Sequence, residues 1–280
     1  MINACVIGWP ISHSRSPLIH GYWLAQHKIE GRYTRQPVEP EKLASFLSAL
    51  VANGYAGCNV TLPHKERVFD LVTRADEATE RLGAVNTVFV RDGYILGTNT
   101  DGEGFINSLK SSNPGLSLAN TRSVVLGAGG AALAIVSALL LQGVEEVAVV
   151  NRSIEKAMFL RDRFGGKVKP LPWSARTDIL ADCQLLVNTT SLGMKGQPDL
   201  DIDLSRLDPK SIVTDIVYTP LRTKLLVNAA SRGNPVVEGL GMLLHQAVRG
   251  FELWFGIRPE VTLDLHDLVA RDIDPDYMPC

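Results

Sequence analysis

Short apolar runs rich in β-branched residues alternate with longer runs of helical spacing along the whole chain. In the first part, Ala4 to Ile7, Tyr33 to Val38, Gly57 to Val60 and Val85 to Val90 read as strands, and Pro17 to His27, Pro40 to Ala52 and Pro63 to Val72 read as helices. Short apolar runs bounded by Gly, Pro or Asn suit strands covered on both faces, with the helical runs as their cover. From about Asp101 a helix leads into a second series, with strands near Val124, Val147, Val168, Leu185, Ile212 and Val236. Six strands separated by helices suit a doubly wound sheet. The last apolar runs, Gly241 to Phe255 and Leu263 to Ala270, are helical with no strand after them. The pattern therefore predicts an α/β chain of two domains, residues 1–101 completed by 239–280 and a second domain over 102–238.

One turn adds chemistry to this pattern. The strand Ser123 to Leu126 runs into Gly127-Ala128-Gly129-Gly130-Ala131-Ala132 and a helix leaves it, which is the arrangement of a dinucleotide-phosphate cradle in a Rossmann-like domain. Gly127 permits the tight turn, Gly129 admits the pyrophosphate to the backbone, and Ala132 lets helix and strand pack closely. Backbone N–H groups at the helix start would face the phosphates. The next strand ends in Asn151-Arg152-Ser153, with no carboxylate to bond a ribose 2′-hydroxyl. Arg152 would meet a 2′-phosphate instead, so the predicted cofactor is NADP rather than NAD.

Composition narrows the partners. Lys plus Arg number 28 and Asp plus Glu 30, a net charge of −2, so there is no basic field to gather nucleic acid or an anionic membrane. The longest apolar stretch, Ala131 to Leu141, is too short to cross a bilayer, and the N-terminus lacks a signal-peptide pattern. Cys5, Cys58, Cys183 and Cys280 are scattered, and none of the six histidines falls in a metal-ligand spacing, so no metal is expected. A cytoplasmic protein acting on a small molecule, as a monomer or homodimer, is the expectation. Neither a G-x-S-x-G elbow nor a Walker lysine occurs, which argues against a hydrolase or a P-loop ATPase.

Several polar segments end the predicted strands, where open α/β sheets place ligands. In Asn59-Val60-Thr61-Leu62-Pro63-His64-Lys65, Asn59 and Thr61 share a strand face and Lys65 lies in the first turn of a helix that opens at Pro63. Thr61 as a cap and Lys65 as a solvated lysine is the structural alternative. Asn86-Thr87 and Gly97-Thr98-Asn99-Thr100-Asp101-Gly102 form a second polar strip. Asp101 reads either as a helix N-cap or as a carboxylate that orients the Lys65 ammonium in a proton relay. Ser14 and Ser16 precede a helix, where Ser16-Pro17 reads as N-cap plus first-turn proline and the hydroxyls as carboxylate donors. Thr189, Ser191, Met194, Ile216 and Tyr218 fall in segments that end two later strands, with ordinary turn chemistry as the alternative. Gly239 and Met242 open the last long helix beside a flat-ring site or in the core, and Gln246 follows one turn later.

Taken in order, these motifs resemble the shikimate dehydrogenase family, from Ser14-Arg15-Ser16-Pro17 through Asn99-Thr100-Asp101-Gly102 to Asp215-Ile216-Val217-Tyr218. The resemblance implies NADPH-linked reduction of 3-dehydroshikimate to shikimate, on the route to chorismate and aromatic amino acids. It implies Lys65 and Asp101 as the catalytic pair and Ser14, Ser16, Asn59, Thr61, Asn86, Tyr218 and Gln246 as the substrate pocket. On the cofactor side it implies Gly127, Ala128, Gly129, Gly130, Ala131, Asn151, Arg152, Ser153, Lys156, Thr189, Ser191, Met194, Ile216, Gly239 and Met242, with Glu77 toward the nicotinamide. Two positions depart from the family's pattern. Ser153 stands where many relatives have threonine, and Leu133-Ala134 replaces a small-plus-arginine pair, which leaves Arg152 and Lys156 to select NADP. Action on quinate or a related cyclic acid, and a non-catalytic NADP sensor, are the competing readings.

Overall fold

The apolar run after Met1 forms the opening strand of a computed structural model that describes residues 1–279. β1 (Ile2–Gly8), α1 (Ser16–Gln26) and β2 (Gly31–Pro37) are followed by a 3-10 turn at Pro40–Lys42, α2 (Leu43–Ser48), β3 (Tyr55–Val60) and α3 (Lys65–Leu71). Next come β4 (Thr73–Arg74), α4 (Glu77–Leu82), β5 (Thr87–Arg91) and β6 (Tyr94–Thr98). These strands make one sheet in the order β2-β1-β3-β5-β6-β4. β1 runs parallel to β2 and β3, whereas β5 is antiparallel to both β3 and β6. Period-two alternation directs Cys5, Ile7, Cys58, Val60 and Val88 to one face, where Leu43, Leu47 and Val68 of α2 and α3 cover them.

Three local expectations change here. The β5–β6 hairpin replaces a single strand, Val85 to Val90, and its two-residue turn places Asp92 at φ 51° and Gly93 at φ 79°, the left-handed pair such turns require. The helix expected over Pro40 to Ala52 is a 3-10 turn followed by the shorter α2. The helix expected from Pro63 opens at Lys65, with His64 as its N-cap, and the Leu62–Pro63 peptide before it is cis.

The second half of the chain continues with α5 (Asp101–Ser112), β7 (Arg122–Leu126), α6 (Gly130–Leu141), β8 (Glu146–Asn151), α7 (Ile154–Phe164), β9 (Val168–Pro172) and β10 (Leu185–Asn188). It ends with β11 (Ile212–Asp215), α8 (Lys224–Ser231), β12 (Val236–Val237), α9 (Gly239–Phe255) and α10 (Leu263–Ile273). The second sheet has the order β12-β11-β10-β7-β8-β9 with every pair parallel. Strand succession reverses between β7 and β10, the switch point at which doubly wound sheets bind ligands. One face carries Val125, Val149 and Val187 under Phe105, Ile135 and Leu160. The other carries Val124, Val150 and Val213 under Leu225, Leu226 and Ala229 of α8.

The chain partitions into two compact units, Met1–Asp101 with Leu244–Val269, and Gly102–Leu243 with the chain from Ala270 onward. In the first unit the returning part of α9 brings Phe251 and Trp254 against Trp23, Tyr33 and His20. The Trp254 indole donates to the Val88 carbonyl at 2.9 Å and lies flush on β3 at Gly57, where a Cβ would collide with both the indole nitrogen and that carbonyl.

Candidate active site

Lys65 is placed by the turn that leaves β3. Thr61 N donates to the Ile7 carbonyl at 3.0 Å and His64 N to the Thr61 carbonyl at 3.0 Å. The buried His64 ring holds the turn from beneath, its Nε2 donating to the Val38 carbonyl at 2.7 Å. A carbonyl only accepts, so that nitrogen carries the proton. Lys65 Nζ then lies 2.6 Å from Asp101 Oδ2, with the two side chains 30% and 13% exposed. The other carboxylate oxygen, Oδ1, accepts from Asn86 Nδ2 at 2.7 Å. Asn99 Oδ1, not the Asp101 carboxylate, accepts from a backbone N–H at the start of α5, that of Asp101, at 3.1 Å. Both carboxylate oxygens of Asp101 are thus engaged by side chains, one by the Lys65 ammonium and one by the Asn86 amide.

A buried amide network stands behind this pair. Asn86 Oδ1 accepts from Thr100 N and from Thr87 Oγ1, each at 2.9 Å. Thr100 Oγ1 donates to the Gln246 carbonyl at 2.9 Å, which ties α9 to the same cluster. Asn59 donates through Nδ2 to the Asn86 carbonyl at 3.3 Å and to Thr87 Oγ1 at 3.2 Å, and its Oδ1 accepts from the Tyr33 hydroxyl at 2.5 Å. Both Asn59 N–H groups are thus engaged, leaving a lone pair on Oδ1 as its remaining hydrogen-bonding capacity. Burial pushes the Tyr33 phenol well above its ordinary range, so it stays a neutral donor. Thr87 and Thr100 lie inside segments already suspected from the sequence, whereas Tyr33 read only as the first residue of a strand and nothing in the sequence marked it as part of a site.

Ser14 and Ser16 leave the C-terminal end of β1, next to the β3 end that carries Thr61. Ser16 is the first residue of α1 and Arg15 is its N-cap, with no side-chain cap, so the capping role read for Ser16 is not found. Its N–H and hydroxyl instead both lie 3.3 Å from the Ser14 hydroxyl. No side chain caps α3 either, so Thr61 has no capping role. Ser14, Ser16, Asn59, Thr61, Lys65, Asn86, Asp101 and Gln246 all fall within the first unit, and Tyr218 within the second. Glu77 sits in the first turn of α4, 92% exposed and 3.8 Å from Arg81.

In the second unit the glycine turn leaves β7 at the switch point. Gly127 has φ +107°, and a Cβ there would stand 2.6 Å from Thr189 Oγ1, so side chains are excluded twice over. Thr189 Oγ1 itself donates to the Leu126 carbonyl at 2.7 Å. A Cβ on Gly129 or Gly130 would meet no atom within 4 Å, and Gly129 caps α6 with no side-chain acceptor for its first amides. The turn therefore presents an open face and uncapped donors, which fits a pyrophosphate. Ala128 and Ala131 continue that turn, half-buried.

At the end of β8, Asn151 Nδ2 donates to the Ser153 carbonyl at 2.8 Å and Ser153 Oγ to Glu155 at 2.9 Å. Arg152 and Lys156 are exposed. Arg152 has no ion pair among the described residues, which suits a guanidinium awaiting a phosphate. Asp215 is the organiser of the neighbouring strand ends. It is fully buried and accepts from Thr223 Oγ1 at 2.7 Å, Val217 N at 3.0 Å and Asn188 Nδ2 at 3.0 Å. Burial raises its carboxyl above the usual range and these donors oppose the rise. The loops it knots together carry Ser191 and Met194, both exposed, and Ile216 and Tyr218, both half-buried. Gly239 opens α9 against the Ile216 carbonyl, and Met242 packs on the apolar cluster below. Among the described residues no group of three or more His, Cys, Asp or Glu is placed to hold a metal ion. Nor is any helix among them long and apolar enough to cross a membrane.

Known proteins resemble this chain in both sequence and architecture. A shikimate dehydrogenase substrate binding domain matches residues 6–88, a shikimate / quinate 5-dehydrogenase domain residues 109–194, and a shikimate 5′-dehydrogenase C-terminal domain residues 239–263. The chain is 54% identical over 272 residues to a shikimate dehydrogenase (NADP(+)) of Rhodopseudomonas palustris strain TIE-1, covering 97% of each protein. The shikimate 5-dehydrogenase of Thermus thermophilus, solved with NADP(H) and shikimate, superposes with a TM-score of 0.85 at 33% identity, covering 98% of this chain and 100% of that one. Quinate dehydrogenase of Corynebacterium glutamicum, solved with NAD, superposes with a TM-score of 0.87 at 30% identity, covering 96% and 98%.

Proposed function

The chain belongs to the shikimate dehydrogenase family, and on that premise we propose how its own residues carry out the NADP-dependent interconversion of shikimate and 3-dehydroshikimate. The observation that supports this most is the Lys65–Asp101 contact of 2.6 Å, with Asn86 fixing the second carboxylate oxygen. The Gly127–Ala131 turn would hold the pyrophosphate of NADP, with Arg152 and Lys156 toward its 2′-phosphate, and the bound cofactor would supply the hydride acceptor or donor. At the substrate, Lys65 Nζ gives its proton to the oxygen of the ring carbonyl as that carbon is reduced, and takes one back in the oxidative direction. An ammonium already oriented stabilises the developing alkoxide without reorganising, the usual source of electrostatic catalysis. Asp101 keeps the ammonium in place and takes up the adjacent ring hydroxyl.

The hydroxyls of Ser14 and Ser16 donate to the substrate carboxylate. Asn59 offers only a lone pair, so it selects a ring hydroxyl that can donate. Thr61 and Gln246 complete this set, and Tyr218 and Glu77 belong to the proposal on their motifs alone. A site built around substrate hydroxyls rejects an analogue lacking one by roughly 10⁴–10⁵, because buried partners are stranded. Shikimate is preferred to quinate in this reading, supported by the 54% identity to an NADP-dependent shikimate dehydrogenase. Residence in the cytoplasm belongs to the same reading, since Cys5 and Cys58 are buried free thiols facing each other across neighbouring strands.

Absorbance at 340 nm tests the proposal. Shikimate with NADP should give turnover, with a lower rate for quinate and a lower kcat/KM for NAD. Binding of NADP without turnover would make the protein a sensor, and equal kcat/KM for NAD and NADP would remove the role given to Arg152.

A further inference from the structure

The turn Ser12–Ser16 carries both serines proposed to receive the substrate carboxylate. Ser14 N donates to the Ile11 carbonyl at 3.1 Å, and the two serine hydroxyls lean on each other at 3.3 Å, a long contact for hydroxyls. A third group reaches it from outside. Arg35, on β2, donates to the Ser14 carbonyl oxygen through both Nε, at 2.9 Å, and Nη2, at 2.6 Å. Two donors from a planar fork on one acceptor fix direction as well as distance, which a single flexible ammonium does not.

The surroundings of this guanidinium are unusual. Arg35 makes no ion pair among the described residues, while nearly every other bonded arginine side chain in the same unit, such as Arg74 with Glu80, has a carboxylate. Its charge is therefore delivered to a peptide carbonyl beside the proposed carboxylate donors and left unneutralised. Tyr33 stands two residues earlier on the same face of β2 and bonds Asn59. The edge strand β2 thus braces the serine turn through Arg35 and Asn59 through Tyr33.

We propose that Arg35 is a positioning residue for substrate: it holds the Ser14–Ser16 turn in the geometry that receives the substrate carboxylate and supplies the positive charge behind it. The inference rests on the assignment of the two serines to the carboxylate. It predicts an effect on the substrate alone, because the Lys65–Asp101 pair is fixed separately by Asn86.

Steady-state kinetics of Arg35→Ala, Arg35→Lys, Ser14→Ala and the Arg35→Ala/Ser14→Ala double variant test it, with thermal unfolding to confirm folding. In Arg35→Ala the KM for shikimate should rise by about tenfold, a loss typical of a charge-assisted contact, with kcat within about twofold and KM for NADP unchanged. Arg35→Lys should recover part of the loss, and added salt should raise KM for shikimate in the wild type more than in Arg35→Ala. The double variant should lose less than the sum of the singles, since Arg35 acts through the turn that carries Ser14. A KM for shikimate within about twofold of wild type in Arg35→Ala, or an equal rise in KM for NADP, overturns the inference. An inactive wild type, or a Ser14→Ala variant with unchanged KM, would instead overturn the reading beneath it.

Discussion

An ammonium at the first position of a short helix is electrostatically misplaced, because the helix N-terminus already carries partial positive charge. Lys65 tolerates that position through Asp101, and the arrangement makes sense only if the ammonium has work to do there. Lys65→Ala should lower kcat by about 10²–10⁴-fold with a smaller change in KM for shikimate, the range for losing a positioned proton donor. Asp101→Asn keeps the shape and the Asn86 contact but removes the charge that orients Lys65, so it should lower kcat while leaving NADP affinity intact. Stopped-flow measurement of the hydride step separates this from slow product release, and a full-rate hydride step in Lys65→Ala would remove the residue from the chemistry. Lys65 and Asp101 were legible as a pair because each ends a polar strip after a strand. The bonds that fix them were not, since Tyr33, His64 and Thr100 look like core or turn residues until the fold brings them within 2.5–2.9 Å of their partners.

Elements divide in the same way between what local pattern dictates and what packing decides. All six strands of the second sheet could be placed from apolar runs, most plainly the inner ones such as β8 and β10, which are covered on both faces and stand out from their surroundings. The β5–β6 hairpin is the element that local pattern conceals, although Asp92-Gly93 between β-branched and aromatic residues is a strong hairpin signal. Its second strand is short and runs through Gly97 and Thr98 into the polar strip ending at Asp101, so it reads as part of that strip. No sequence signal at all marks Gly57. That glycine is needed because Trp254, far along the chain, lays its indole across β3 and donates to β5. Gly57→Ala must move either the indole or the β3–β5 pairing, so it should cost about 1–3 kcal/mol as an overpacking change. Urea denaturation followed by tryptophan fluorescence would measure it, and a loss below about 0.5 kcal/mol would mean that α9 packs less tightly on β3 than its geometry states.

At the scale of the molecule the polar interior should govern how the protein meets acid. His20 is fully buried with both ring nitrogens unpartnered, packed between Tyr33, Trp23, Phe251 and Trp254, with no carboxylate among them to receive an imidazolium. Burial lowers its pKa from 6.5 to about 3, opposed by a weaker contribution from Asn59. A histidine depressed in the fold binds its proton only after unfolding, so its contribution is complete above pH 6.5 and is lost as pH falls toward 3. The slope is about 1.4 kcal/mol per pH unit across that window for one such group. His245 is lowered by burial too and acts in the same direction. Asp215 acts oppositely: burial raises its carboxyl, so the fold gains from protonating it and part of the acid loss is returned at the low end. Replacing His20 with Phe keeps a flat ring against Tyr33 and removes the titration. Urea midpoints of wild type and His20→Phe should therefore converge as pH falls from 7 to 4.5, or cross, with the variant the less sensitive to acid. Parallel loss of stability in both proteins over that range would show that the His20 ring finds a proton acceptor in the fold, and that the cluster behind Asn59 is wetter than its packing implies.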